Sequence, residues 1–186
     1  MDKWKVKNTI KVFENRILSV IIKKCSHPDK SIEWDFSVIE TFNWINVIAL
    51  TRDNKFILVK QHRLGNDEIS IETPGGVIEE GENPEECAIR ELKEETGFEG
   101  EEIHLLKRLW VNPAIMTNTI SFYFIDKCRK ISDQNLDIAE DIEVITADVF
   151  EVKEMLGNGE INHSIAVTAL SLYFLSEYNK FGQIII

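Results

Sequence analysis

Residues Gly76 to Phe98 read GVIEEGENPEECAIRELKEETGF, and the order of residues inside this stretch decides what the chain builds. Asn83 is placed to cap a helix, and Pro84 sits at the first helical position, where a missing N–H costs nothing. Glu86 stands at capping-box distance from Asn83. Gly97 supplies a residue past the end that tolerates a left-handed backbone. Cys87, Ala88 and Leu92 recur at helical spacing and make an inward face. Glu85 and Glu86 suit the positive end of the helix dipole. Glu94 and Glu95 lie near its negative end, which disfavours them. Carboxylates kept in such a place point to a bound cation.

The same stretch accounts for the charge of the whole chain. The 186 residues carry 32 acidic side chains against 21 basic, a formal net of -11. Residues 79–102 alone hold eleven glutamates against Arg90 and Lys93, so the rest is nearly neutral, and residues 1–30 run positive. An acidic run is ordinarily a solvated face. Here the spacing argues otherwise. Glu91 and Glu95 are four apart, so their carboxylates leave one face of a helix and converge, and Glu94 joins from the side. Three hard oxygen ligands on a rigid rod suit Mg²⁺ or Mn²⁺. Gly75 and Gly76 predict a tight turn before the helix, which would bring the Gly75 carbonyl to the metal. Arg90 is placed to hold the acidic face in order; its alternative is a surface ion pair worth under about 1 kcal/mol. Glu82 precedes the helix and organises the loop rather than touching the ion.

Working outward, the chain reads as strands on either side of this helix. Arg16–Ile22 and Ile32–Phe36 flank a turn at Ser26–Asp29, and Thr41–Leu50 and Phe56–Val59 flank another at Thr51–Asn54. Ile120–Phe124 alternates, and Val144–Ile145 is a short later strand. Two helices close the chain, one over Asp148–Leu156 and one over Asn162–Lys180, the latter turning Ile165, Ala169, Leu172 and Leu175 inward. A hydrophobic content of 44% with 28% charged residues excludes disorder. Cys25, Cys87 and Cys128 are odd in number and form no C-x-x-C pair, so they are packing residues rather than a disulfide framework. His62, His104 and His163 show no ligand spacing. An acidic chain argues against nucleic acid as a partner. No segment reaches the roughly 18 apolar residues of a membrane span. Free thiols and a start without a secretory h-region suggest a cytoplasmic setting.

Written as spacings, Gly76, Glu82, Arg90, Glu91, Leu92, Glu94, Glu95, Gly97 and Phe98 meet the pattern G-x5-E-x7-R-E-U-x-E-E-x-G-U, with U apolar. The stretch resembles the signature of the Nudix hydrolases. The resemblance implies an α/β Nudix fold, a mixed β-sheet sandwiched between helices. It divides the chain into an N-terminal antiparallel β extension over residues 1–40, which pairs two subunits of a homodimer, and a Nudix hydrolase domain over 41–186. The implied reaction is Mg²⁺-dependent hydrolysis of a nucleoside diphosphate linked to another moiety.

Leu58–Arg63 followed by Ile71–Gly76 is similar to the ADP-ribose pyrophosphatase branch and its nucleoside-diphosphate-sugar relatives. On that resemblance Arg63 binds phosphate as a charged fork and Glu72 accepts from a ribose or base group; Arg63 also reads as a strand-end surface residue. Pro113 matches a proline of that branch, whereas Asn112–Asn118 lacks its Gly-rich wording, which keeps GDP-mannose and other sugar nucleotides open. Trp44 reads as core, as interface, or as a stacking platform for the base. The family also implies a further acid outside the signature. Aligning the strand at Ile142 puts Glu140 in that role, with Asp141 and Glu143 as alternatives, and completes a catalytic set with Glu94 and Arg90. Two other classes stand beside this one: a nucleoside triphosphate pyrophosphohydrolase, and a nucleotide-sensing module without catalysis.

Overall fold

Period-two alternation and helical caps produce most of the elements in the computed structural model, which describes residues 2–182. In chain order these are β1 (Lys5–Glu14), β2 (Leu18–Ser26), β3 (Glu33–Thr41), β4 (Trp44–Thr51), β5 (Phe56–Arg63), β6 (Glu68–Glu72), β7 (Gly75–Val77) and α1 (Pro84–Thr96). There follow β8 (Phe98–Glu99), β9 (Glu102–Trp110), β10 (Thr119–Lys130), β11 (Ile142–Ala147), α2 (Val149–Gly157) and α3 (Ser164–Phe174). The chain divides into two units. One runs to Asn43 and includes Leu109–Ile120; the other holds Trp44–Arg108 and the chain from Ser121 onward.

The first unit is built on a three-stranded antiparallel sheet, β1-β2-β3. The segment at 109–120 joins it through Ile39, whose N–H donates to the Ile115 carbonyl at 2.7 Å and whose carbonyl accepts from Thr117 N at 3.1 Å. Sequence alternation misses β1 for a local reason. Its register against β2 shifts between Val6 and Asn8 and again between Lys11 and Phe13, and each bulge resets which face the next side chain takes. The strand expected from Arg16 starts at Leu18, because the Asn15 side chain accepts the N–H groups of Ile17 and Leu18 and turns the chain. The expected strand from Thr41 is likewise divided. β3 ends at Thr41, and Asn43 turns aside to accept from Thr119 N and Oγ1.

The second unit is organised by an eight-stranded sheet in the order β11-β5-β4-β10-β8, with β6 on β5, β7 on β4 and β9 on β10. Both faces of its central strands are covered. Ile45, Val47 and Ala49 of β4, Ile57 of β5, and Tyr123 and Ile125 of β10 pack with Cys87, Ala88 and Leu92 of α1. The alternate residues Phe56 and Phe124 pack instead against the α3 aromatics, with ring centroids 5.5 and 5.0 Å from Tyr173. A strand buried on both faces reads as a continuous apolar run, as Val47–Leu50 and Phe56–Val59 do.

The closing helices differ in how far local sequence sets their ends. α2 follows expectation, and Asp148 and Glu151 form a complete capping box. α3 ends at Phe174 rather than Lys180. Ser176 Oγ donates to the Tyr173 carbonyl and Asn179 Nδ2 to that of Phe174, each at 2.8 Å, so side chains take the helix's last acceptors. Its buried face is Ala166, Ala169, Leu170, Tyr173 and Phe174, while Leu175, expected inward, is 86% exposed. The two bulky aromatics set the rotation of the helix. All three cysteines are free and buried, as packing residues are. Among the described residues, no helix is long and apolar enough to cross a membrane.

Candidate active site

α1 is the element that the local sequence specifies most fully. Asn83 Oδ1 accepts from Glu85 N at 2.8 Å, Pro84 opens the helix, and Gly97 closes it with φ +74°. The expected box with Glu86 gives way to this single cap; the box with both arms forms at α2. The helix buries Cys87, Ala88 and Leu92 toward the sheet and, on the same side, Glu95 and Thr96.

Glu95 is 4% exposed. Burial raises its carboxyl to about 8; the nearby Glu91 and Glu140 push in the same direction, against the Gly75 N–H, which donates to Glu95 Oε2 at 3.1 Å. Burial also raises Glu91, opposed by Arg90. A Cβ added at Gly76 would overlap the Glu91 carboxyl, so the strand before α1 lies directly on the helix's acidic face.

That strand corrects one expectation. Gly75 and Gly76 form no tight turn but pair in β7 with Asn46 and Ile45 of β4. A Cβ on Gly75 would stand 2.6 Å from the Ile45 carbonyl oxygen. Glycine is required here by close approach; the positive φ before the helix belongs to Gly81 at +82°. The contact that Gly75 makes with the acids is through its N–H.

Arg90 gathers the acids beside it. Its Nε donates to Glu82 Oε1 at 2.8 Å, and Nη1 donates to Glu91 Oε1 at 2.9 Å and Glu94 Oε2 at 2.8 Å. The guanidinium pulls the Glu82 carboxyl down to about 2. Glu82 also accepts from Glu79 N at 2.9 Å and so ties the loop to the helix. Among the described residues, no three His, Cys, Asp or Glu side chains already converge on one point at ligand distance. Glu91 and Glu94 are drawn to Arg90, and Glu95 is drawn to the backbone of β7.

Arg63, at the end of β5, and Glu72, at the end of β6, are partners of each other. Arg63 Nε and Nη2 donate to the two Glu72 oxygens at 2.7 Å each. Burial alone would raise Glu72, which is 3% exposed, yet the Arg63 hydrogen bonds hold its carboxyl below the ordinary value. The bidentate pair occupies one edge of the guanidinium and leaves Nη1 out of it. His163 Nδ1, just before α3, lies 3.4 Å from Glu72 Oε2. Ligand spacing missed this histidine, because what places it is the packing of α3 beside β6.

Glu140 lies in the exposed loop before β11, where its carboxylate accepts from Asp137 N at 2.9 Å. Its charge is nevertheless felt at Glu91, Glu95 and Arg63, which places it in their neighbourhood. Glu143 stands inside β11 opposite Lys60, and Asp141 is exposed in the loop. Trp44 is half-buried at the start of β4, opposite Val77.

Comparison with known proteins agrees with this architecture. A family model described as NUDIX domain matches residues 43–169. The chain is 27% identical over 173 residues to the methanol dehydrogenase activator of Bacillus methanolicus, covering 92% of this chain and 93% of that protein. It is 23% identical over 165 residues to the ADP-ribose pyrophosphatase of Bacillus subtilis, covering 88% of each. To the GDP-mannose pyrophosphatase of Klebsiella pneumoniae it is 34% identical over 143 residues, covering 72% of this chain and 71% of the other. A crystal structure of an ADP compounds hydrolase superposes with a TM-score of 0.81 at 21% identity, over 92% of both chains, and shares the fold, with its mixed sheet, three helices and N-terminal three-stranded sheet. With the signature intact on α1 and the family model spanning most of the chain, this protein belongs to the Nudix hydrolase family.

Proposed function

We propose that the chain hydrolyses the pyrophosphate bond of a nucleoside diphosphate sugar, with ADP-ribose, giving AMP and ribose 5-phosphate, as the first substrate. The observation that carries the reading is the burial of Glu95, with Glu91 half-buried beside it, against the glycine strand β7. Buried carboxylates with so few donors are stabilised as anions by a cation, and their hard oxygens suit Mg²⁺, with Mn²⁺ as a substitute. Glu91, Glu95, Glu94 and Gly75 are the residues that would hold it. When bound, the ion would neutralise charge on the diphosphate and lower the pKa of an attacking water.

The chain's own residues do the rest. Arg90 keeps Glu94 and Glu91 on one side of α1. Arg63, held at rest by the bidentate pair with Glu72, turns its guanidinium fork from that carboxylate to the diphosphate. Glu140 takes the proton of the attacking water, and Trp44 stacks on the base. The relative named as an ADP-ribose pyrophosphatase supports the choice of substrate, and the relative named as a GDP-mannose pyrophosphatase supports a second reading with that sugar nucleotide. We further place the enzyme in the cytoplasm, where its three buried thiols stay reduced.

Incubation with Mg²⁺ and ADP-ribose, GDP-mannose or UDP-glucose in parallel, with nucleoside monophosphate as the readout, tests the proposal. AMP from ADP-ribose, formed faster than product from the other two, is the expected result. GMP from GDP-mannose alone would move the assignment to the second reading. No product from any of the three would remove the sugar-nucleotide assignment.

A further inference from the structure

Glu72 is a carboxylate with almost no access to water, and its known partner is a residue that the reaction needs elsewhere. If Arg63 turns toward a diphosphate, the two bonds it gives Glu72 weaken, and a buried carboxylate deprived of its partner is costly. Besides the Ser70 hydroxyl, which helps to hold the Glu72 carboxyl down, one further donor stands beside it. His163 Nδ1 is 3.4 Å from Glu72 Oε2, is buried, and has no hydrogen-bond partner among the described residues. The imidazole is not spent on the helix behind it either: His163 occupies the cap position of α3 without making a side-chain cap bond.

We propose that His163 is a positioning residue for Arg63, whose Nδ1–H takes over Glu72 Oε2 when substrate draws the guanidinium away. This rests on Arg63 being the diphosphate-binding arginine. At 3.4 Å the ring nitrogen is already within reach of the carboxylate, and a turn of the imidazole that aligns its N–H completes the hydrogen bond. Burial holds the imidazole below its usual pKa despite Glu72, so the ring is neutral and offers one N–H rather than a competing charge. A neutral donor suits the exchange, because a second full charge beside Glu72 would also repel Arg63. The hand-over lets Arg63 move without leaving Glu72 to the Ser70 hydroxyl alone, and it explains why an imidazole is buried with a free nitrogen.

The kinetic test compares His163→Leu, His163→Asn and Arg63→Ala with ADP-ribose in Mg²⁺. His163→Leu is expected to raise KM about fivefold with kcat within about twofold, the size of one net hydrogen bond made on binding. His163→Asn keeps a donor at that place and should recover most of the loss. In unaltered protein labelled with ¹⁵N-histidine, the His163 Nδ1 resonance should move toward its hydrogen-bonded position when ADP-ribose is added with Ca²⁺ in place of Mg²⁺. The inference is overturned if Arg63→Ala raises KM while His163→Leu leaves it unchanged, or if the Nδ1 resonance stays in place when ADP-ribose saturates the protein. Should Arg63→Ala leave KM unchanged, the assignment of Arg63 to the diphosphate fails first, and the hand-over falls with it.

Discussion

At the scale of single residues, Glu95 carries the largest consequence. Its carboxyl titrates at about 8 in the folded chain against an ordinary 4.5. Between those values the folded state keeps a proton that the unfolded state has released. The stability this confers is therefore complete below about 4.5 and is lost as pH rises toward about 8. A cation binding to Glu95 displaces that proton, so Mg²⁺ should raise the melting temperature more at pH 8 than at pH 6. Thermal melts of wild type and Glu95→Gln across this range check the prediction. The variant should show a weaker pH dependence and little response to Mg²⁺, and its kcat should fall about a hundredfold or more. The spacing of Glu91, Glu94 and Glu95 was legible in the sequence because a helix fixes which side chains three and four apart share a face. That Glu95 is buried was not legible, since it depends on where β7 crosses the helix.

At the scale of elements, β7 and α1 form one device, and the two glycines of β7 should fail differently. A Cβ on Gly75 meets backbone, the Ile45 carbonyl oxygen at 2.6 Å, which cannot give way cheaply. Gly75→Ala should therefore destabilise by about 1–3 kcal/mol, read by denaturant unfolding. A Cβ on Gly76 meets the far end of the Glu91 side chain, which can swing aside. Gly76→Ala should melt close to wild type yet lose most of its Mg²⁺-dependent activity, because the carboxylate is moved from its place. Equal stability loss in both variants would contradict this account of β7. The cap of α1 is a simpler case: Asn83→Ala removes the bond to Glu85 N and should cost about 1 kcal/mol without altering the reaction. Capping chemistry is local, so α1 and α2 begin and end within a residue or so of their sequence signals. Strands β6 and β9 leave no such local signal, because short or half-exposed strands show no clear alternation until a neighbour pairs with them.

At the scale of the whole molecule, the first unit exposes more apolar side chain than a lone small sheet needs. Val6, Cys25 and Trp34 share one row across β1, β2 and β3, and Trp34 is 64% exposed. Phe13 and Val12 are exposed on the same β1. Grouped exposed apolar residues of this kind mark an interaction surface. We propose that the homodimer implied by the family resemblance uses that surface to receive a second copy. Size-exclusion chromatography with light scattering should give twice the chain mass, and Trp34→Glu should shift the protein toward monomer. A monomer in the unaltered protein would remove the dimer.

The sequence by itself determined α1 with its caps, the three glutamates on one side of it, and the family they announce. These follow from helical geometry and terminal capping, which act over a few residues. Tertiary structure decided the rest of the site. Arg90 reaches back to Glu82, Arg63 is locked to Glu72, His163 arrives beside that pair from the start of α3, and Glu95 is closed off by β7. Such neighbours are set by sheet register and helix packing across distant parts of the chain, and no local periodicity records them. The physical difference is range. Spacing along a helix is fixed by the backbone, whereas burial, and with it the pKa of Glu95, exists only once the elements have packed.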